Sequence, residues 1–366
     1  MELKSKETTQ ELLKNMAKTR VFLSMPYISG VTPVCMERPG VRSFMDPACG
    51  LVRHDGIFRL NEAGLSPMDH GNLYGDAVFE GIRIDNRRIL LLKEHVDRWL
   101  QSAKRVGLNF PYSREELCRI MLKLCREALG KDGMGGYFRP VLTRGIGNLG
   151  VSPIKCVAPT VYIICSSVLL YPKSHYELGI DVAIARHMRR NDPHHLDPNI
   201  KTNNYLNNVL ALLETAQTGA LETLMLTNDG YVAEATADNI FVAETIQGRH
   251  VLKVPAARYA LVGLTRNLVM DTARRLGFEV IEDDAMLPTD FVGHSREVFI
   301  TGTACGLMPV TRIDGLETAP VGQRPLTAMI RDAVLARGQE DGISIHMDAD
   351  DAEFEAYLAS ESCLQA

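Results

Sequence analysis

Residues 223–244 read TLMLTNDGYVAEATADNIFVAE. Two runs rich in β-branched and apolar residues flank Asn228-Asp229-Gly230, so the stretch predicts strand, tight turn and strand. Working outward, IDVAIAR (180–186) predicts a strand and LNNVLALLETAQTG (206–219) a helix with Leu206, Val209, Leu210 and Leu213 on one face. LTRNLVMDTARRLG (264–277) predicts a helix capped by Thr265 and ended by Gly277, and EVFITGT and LMPVTRIDG predict two strands around a Thr/Gly loop. Strands and helices alternate here, the pattern of an α/β unit, and residues 180–340 read as a large domain.

The preceding part follows a different rhythm. AVFEGIRI (77–84) and ILLL (89–92) predict strands around the turn DNRR. A helix is expected from Lys93 to Val106, with Val96, Trp99, Leu100, Ala103 and Val106 at helical spacing and Gly107 as its cap. A second helix over 113–129 and strands over 136–145 and 160–170 complete an irregular α+β pattern, so residues 51–170 read as a smaller domain. YPKSHYELG (171–179) reads as the linker between the two. The fold class expected is a mixed α+β and α/β chain of two domains. Residues 1–50 read as an N-terminal extension with a short helix over 8–20, and the acidic residues 341–366 as a solvated tail.

Bulk properties exclude several functions. Of 366 residues 46% are hydrophobic and 23% charged, which suits a globular chain. The net charge of −5 offers no basic surface for nucleic acid or an anionic membrane. No apolar run approaches a membrane span, and Glu2, Glu7 and Glu11 argue against a transit peptide, so a cytoplasmic location is expected. Eight cysteines, none in a C-x-x-C pair and several in apolar runs such as VYIICSS around Cys165, read as free thiols.

Two residues stand out chemically. Lys201, in DPNIKTNNYLNN, precedes Tyr205 by four positions; on a helix beginning near Thr202 the amine and phenol share a side. Alone, such a lysine is more often a surface residue. A desolvated lysine beside a phenol suits Schiff-base chemistry, because burial lowers the amine pKa. Glu234, in GYVAEATADNIF, is an edge charge on the bland reading and a partner for a pyridinium nitrogen on the functional one. His194 and His195, flanked by Asp192 and Asp197, sit in a proline-containing loop without further spaced ligands, so no metal site is expected.

The segments HGNLYGDAVFEGIR (70–83), KEHVDRW (93–99), YFRPVLTRGIGNLG (137–150), IKTNNYLNN (200–208), E-x-T-x-x-N-I-F from Glu234, GLTR (263–266) and EVFITGTACGLMPV (297–310) together resemble the class IV, or fold type IV, pyridoxal-phosphate aminotransferases. That family includes branched-chain and D-amino-acid aminotransferases and aminodeoxychorismate lyase, and the resemblance spans residues 50–335. It implies pyridoxal 5′-phosphate as cofactor and a two-domain architecture with the site between the domains. Lys201 matches the Schiff-base lysine, Glu234 the partner of the pyridine nitrogen and Tyr205 that of the phenolic oxygen. Arg98, Leu264, Thr265 and Thr303 match the phosphate contacts; a guanidinium suits that group. For Arg98 the bland alternative is an i,i+4 pair with Glu94.

Within the family, Tyr137 and Arg139 match a Tyr-x-Arg of the branched-chain enzymes, two residues apart and therefore on one strand face. Tyr74, Phe79, Arg83 and the Ala304 amide match other substrate contacts. The resemblance thus implies transamination between leucine, isoleucine or valine and 2-oxoglutarate, with amino acids and 2-oxo acids as partners and a homodimer or higher homo-oligomer as the assembly. D-amino-acid or (R)-amine transamination, aminodeoxychorismate lysis and a non-catalytic binding protein are the alternatives. A redox C-x-x-C found in some members is replaced here by Cys305-Gly306-Leu307-Met308.

Overall fold

The computed structural model describes residues 68–129, 135–156, 158–166, 170–346 and 352–360, together with residue 66 and three short strands before it. The expected helix over 8–20 lies outside the described residues. In chain order the strands and helices are β1 (Arg42–Phe44), β2 (Val52–Arg53), β3 (Gly56–Ile57), α1 (His70–Tyr74), β4 (Ala77–Phe79), β5 (Ile82–Asp85), β6 (Arg88–Ile89), α2 (Leu92–Arg105), α3 (Arg114–Leu129), β7 (Gly135–Thr143), β8 (Thr160–Ser166) and α4 (His175–Leu178). They continue as β9 (Ile180–Arg189), α5 (Leu206–Thr215), β10 (Glu222–Leu226), β11 (Val232–Ala235), β12 (Asn239–Ile246), β13 (Arg249–Pro255), α6 (Leu264–Arg275), β14 (Glu279–Asp283), β15 (Glu297–Gly302), β16 (Gly306–Ile313), β17 (Leu316–Glu317), α7 (Pro325–Asp341), β18 (Ile343–Ser344) and α8 (Ala352–Ala359).

Two large sheets organise the molecule. The first runs β1-β8-β7-β5-β6-β18, with β4 also paired to β7. Helices α2 and α3 cover it, and Trp99, Met121 and Phe138 are fully buried in the core between them. The second runs β11-β10-β9-β16-β15-β12-β13-β14, with parallel pairs at β9–β10, β9–β16 and β13–β14. One face holds Leu224, Ile240, Ile300 and Phe291; the other packs Phe241 and Phe299 against α6 and α7. A strand buried on both faces reads as a nearly continuous apolar run, which is what EVFITG shows.

Several sequence expectations need correction. The strand over 77–84 is broken at Glu80-Gly81, because the Glu80 side chain turns inward to receive Arg98 and His95. The strand over 89–92 stops at Ile89, since Leu91 adopts φ 53° to start α2. Residues 171–179 are more than a linker: Tyr171 enters the second sheet's core and His175–Leu178 form α4. Tyr205 precedes α5, so Lys201 and Tyr205 occupy the loop ahead of that helix instead of one helical face. Most visibly, Leu206, Val209, Leu210 and Leu213 face outward, and Asn208, Ala211 and Thr215 are the buried side of α5.

The solvated tail is also overturned. Strand β18 pairs antiparallel with β6, and Phe354 and Leu358 of α8 pack into the first core. Those two residues are four apart and share a helix face, which the surrounding acids obscured. Buried Lys93 anchors the helix end, donating to the carbonyls of Tyr357 and Ser360 at 3.0 and 2.9 Å. Among the described residues Cys118, Cys125, Cys156 and Cys305 are free thiols, and no helix is long and apolar enough to cross a membrane.

Candidate active site

A pocket opens between the two sheets. Lys201, Tyr205, Glu234, Arg98, Leu264, Thr265 and Thr303 line it, with Thr236, Ala237, Asn239, Leu261, Gly263, Thr301 and Gly302. All seven residues matched to cofactor contacts therefore converge on one cavity, from five separate stretches of chain. Local geometry explains how each arrives. The Thr202 backbone bridges to Val78, and the Phe79 amide donates to the Lys201 carbonyl at 2.9 Å, so the lysine loop is stitched to β4. The Lys201 ammonium lies 4.7 Å from the centre of the Phe79 ring. It has no hydrogen-bond acceptor among the described residues.

At one end of the pocket Glu234 is buried in β11. Its Oε1 accepts from Arg190 Nε at 2.6 Å, while Oε2 accepts from Asn239 Nδ2 at 3.1 Å and the Leu261 amide at 3.2 Å. Burial pushes its carboxyl above the ordinary range, and the Arg190 guanidinium pulls against that shift. Arg190 is a partner that sequence reasoning missed.

At the other end α6 begins at Leu264 with Gly263 in the cap position and no side-chain cap. Thr265 is thus the second residue of the helix, not its cap. The opening amides of a helix lack intrahelical partners and carry positive dipole, so this uncapped end suits an anion. Glycine is required at 263: a Cβ there would lie 2.2 Å from Asn239 Oδ1. Arg98 reaches the same end. Its Nε and Nη2 donate to Glu80 at 2.7 and 2.8 Å, and Nη1 to the Val262 carbonyl at 2.9 Å. The acid that holds Arg98 is Glu80 on the neighbouring strand, which sequence reasoning missed, and not Glu94. Burial alone would raise the Glu80 carboxyl, but Arg98 and His95 outweigh it and hold the group far below the usual carboxylate range. Burial pushes the His95 imidazole down.

The floor is the turn between β15 and β16, which carries Thr303 and Ala304. Gly302 presses on Asp238: a Cβ at 302 would lie 1.8 Å from Asp238 Oδ1. The Cys305 thiol donates to that same oxygen at 3.2 Å. Burial, reinforced by nearby Glu222, pushes the Asp238 carboxyl up to about 7.

The residues matched to substrate contacts divide. Phe79 packs with Ala77, Val141, Tyr162 and Tyr205, forming an apolar wall beside Lys201. The Arg139 guanidinium sits 4.4 Å over the Phe79 ring, and its Nη2 lies 3.5 Å from the Tyr137 hydroxyl. Arg139 Nε is buried with no partner among the described residues. Tyr137 has room because residue 81 is glycine. Arg83 lies instead in an adjoining cavity that shares Thr265, Gly302 and Thr303 with the first, 3.8 Å from Asp85. Tyr74 is not in the lysine pocket; its hydroxyl accepts from the Gly150 amide at 2.6 Å and its ring packs on His70.

The cavity suits a flat, phosphorylated ring: it combines an amine with no acceptor among the described residues, a buried carboxylate, and an uncapped helix end beside a guanidinium. Among the described residues no cluster of His, Cys, Asp and Glu could hold a metal ion.

Comparison with known proteins bears on this geometry. The family model described as "Amino-transferase class IV" matches residues 77–313. A putative branched-chain-amino-acid aminotransferase of Methanocaldococcus jannaschii is 39% identical over 255 residues, covering 69% of this chain and 84% of that protein. A D-alanine aminotransferase of Listeria innocua is 30% identical over 278 residues, covering 76% of this chain and 92% of its own. The T.th. branched-chain amino acid aminotransferase, solved with pyridoxamine 5′-phosphate, superimposes with a TM-score of 0.67 at 29% identity, covering 82% of this chain and 95% of that one.

Proposed function

Given that the chain belongs to the class IV aminotransferases, we propose that it transfers the amino group of leucine, isoleucine or valine to 2-oxoglutarate. The observation that carries the substrate assignment is the wall around Lys201. Phe79 presents an apolar surface, and directly over it stands Arg139 with a buried Nε that has no partner among the described residues. An aliphatic side chain satisfies the first, and the distal carboxylate of glutamate or 2-oxoglutarate satisfies the second. One pocket thereby serves both halves of the exchange.

The residues fit pyridoxal 5′-phosphate, the cofactor of this family. When bound, it supplies an aldehyde that joins a primary amine and a ring that withdraws electrons. Lys201 would be the amine that holds it, and its Nζ, when free, would take and return the substrate α-proton. Glu234 would meet the ring nitrogen and the Tyr205 hydroxyl the ring oxygen. Arg98, the Leu264 and Thr265 end of α6 and Thr303 would hold the phosphate, and Ala304, next to Thr303 in the same turn, would offer its amide to a substrate carboxylate. Tyr137 supports Arg139.

The exposed apolar face of α5 supports assembly with a second copy, because four aliphatic side chains at helical spacing are unfavourable in water. Light scattering on the purified protein reads this directly; a monomer at micromolar concentration removes it from the reading.

A panel of L- and D-amino donors with 2-oxoglutarate, followed by glutamate formation, tests the reaction. L-Leucine, L-isoleucine and L-valine are the expected donors. Turnover of D-alanine without L-leucine transfers the assignment to the D-amino-acid branch, to which the Listeria relative belongs.

A further inference from the structure

We propose that Arg190 is a positioning residue that keeps Glu234 ionised and turned toward the cofactor's ring nitrogen, a role that rests on the reading above. The two side chains are only 8% and 6% exposed, and Nε donates to Oε1 at 2.6 Å. A carboxylate offers roughly four acceptor sites. Arg190, Asn239 and the Leu261 amide take three of them, leaving about one for the pocket that Glu234 lines.

The backbone fixes which arginine does this. The Arg190 amide donates to the Leu226 carbonyl at 2.8 Å, tying the end of β9 to β10. Its neighbour Arg189 turns its Nη1 back onto the carbonyls of Ala185 and Arg186. Of the adjacent pair, only Arg190 turns in to Glu234.

The chemistry concerns one proton. A buried carboxylate and a pyridine nitrogen compete for it, and burial favours the neutral acid. A guanidinium at hydrogen-bond distance favours the carboxylate, so the proton resides on nitrogen and the ring keeps its electron-withdrawing power. Arginine remains protonated throughout, so Arg190 sets the equilibrium without exchanging a proton itself. Asn239 and the Leu261 amide orient the carboxylate but bring no charge. Lys201 is the other cation acting on Glu234, and it becomes neutral whenever it serves as a base.

The test uses holoenzyme loaded with pyridoxal phosphate labelled with ¹⁵N in the ring, read by ¹⁵N NMR, beside kcat and KM. Wild type is expected to show a protonated ring nitrogen. Arg190→Gln, which keeps a hydrogen-bond donor but no charge, is expected to move the resonance to the unprotonated position. Its kcat should fall about 10²-fold, with little change in KM. Arg190→Lys restores the charge and should recover both signals in part. A merely structural role predicts the opposite ranking, with glutamine at least as good as lysine. Wild-type protein that takes up no cofactor overturns the functional reading together with this one. A protonated ring in wild type that persists unchanged in Arg190→Gln overturns this inference alone.

Discussion

The two ends of the pocket contain the same pair of groups in opposite order. At one, Arg98 lines the cavity and Glu80 stands behind it; at the other, Glu234 lines the cavity and Arg190 stands behind it. On the proposed reading each front residue carries the charge opposite to its target's, and each rear residue carries the countercharge. Removing two charges from water costs several kcal/mol per ion unless the geometry is good and the remaining donors are satisfied. The pairs therefore make weak sense as stabilisers and strong sense as holders. Each keeps a charged group fixed and dry while leaving part of it available. The ends differ in reserve: Glu80 also accepts from His95 at 2.8 Å, whereas Glu234 is backed by neutral donors besides Arg190.

The largest expected effect lies between the two ends. Replacing Lys201 by alanine leaves both pairs in place and removes the proposed proton carrier, so kcat should fall by about 10²–10⁴-fold. Circular dichroism and Tm should stay near wild type; a collapse of the fold would mean that the lysine is structural. Next comes Glu80→Gln, which leaves Arg98 buried without its countercharge. Breaking a buried pair by removing one partner costs about 3–5 kcal/mol. That loss should appear in the Tm of the apoprotein and largely disappear in the holoprotein, where the phosphate replaces the missing charge. Equal losses in both forms would refute the view that Arg98 meets phosphate. The exposed pair Arg312–Asp181, at 2.7 Å, is the control and should have no measurable effect in either form.

The smallest effect is a pH dependence near the Glu234 end. The folded Asp238 carboxyl titrates at about 7 against 3.8 when free. Between those values the folded protein holds a proton that the unfolded chain has released, so this group's contribution to stability falls as pH rises through that window. Asp238→Asn should flatten the fall and be more stable than wild type at pH 8. Chemical denaturation at pH 5 and pH 8 measures it. An unchanged difference between the two pH values would place the titration elsewhere.

How much of this was legible in the sequence depended on whether the partners were local. Lys201, Tyr205 and Glu234 lie in short segments whose residue types and order carry the family resemblance, and the fold class followed from the rhythm of apolar residues. Glu80 and Arg190 act across 18 and 44 residues of chain, and no local pattern records that distance. Glu80 left one clue, an acid within the apolar run AVFEGI, since buried acids are normally paired. Arg190 left none, because nothing beside it in the chain marks a buried acid 44 residues away. For α5 the apolar face was legible but its direction was not: periodicity finds a stripe without saying what covers it. In the C-terminal segment the acids flanking Phe354 concealed a buried face.

The pairing of β18 with β6 has a consequence for how the protein is made. The first sheet has one border at residues 42–44 and the other at residues 343–344, so the whole of the second sheet is synthesised between its two edges. On a ribosome that releases the chain from its N-terminus, α2, α3 and the strands they cover wait through about 200 further residues, some tens of seconds at ordinary synthesis rates. Until β18 and α8 emerge, one sheet edge and the surface around Trp99 and Met121 lack their final cover. Folding of this half is thus a late, long-range closure with a high contact order. The acids of the C-terminal segment keep the last piece soluble until it docks.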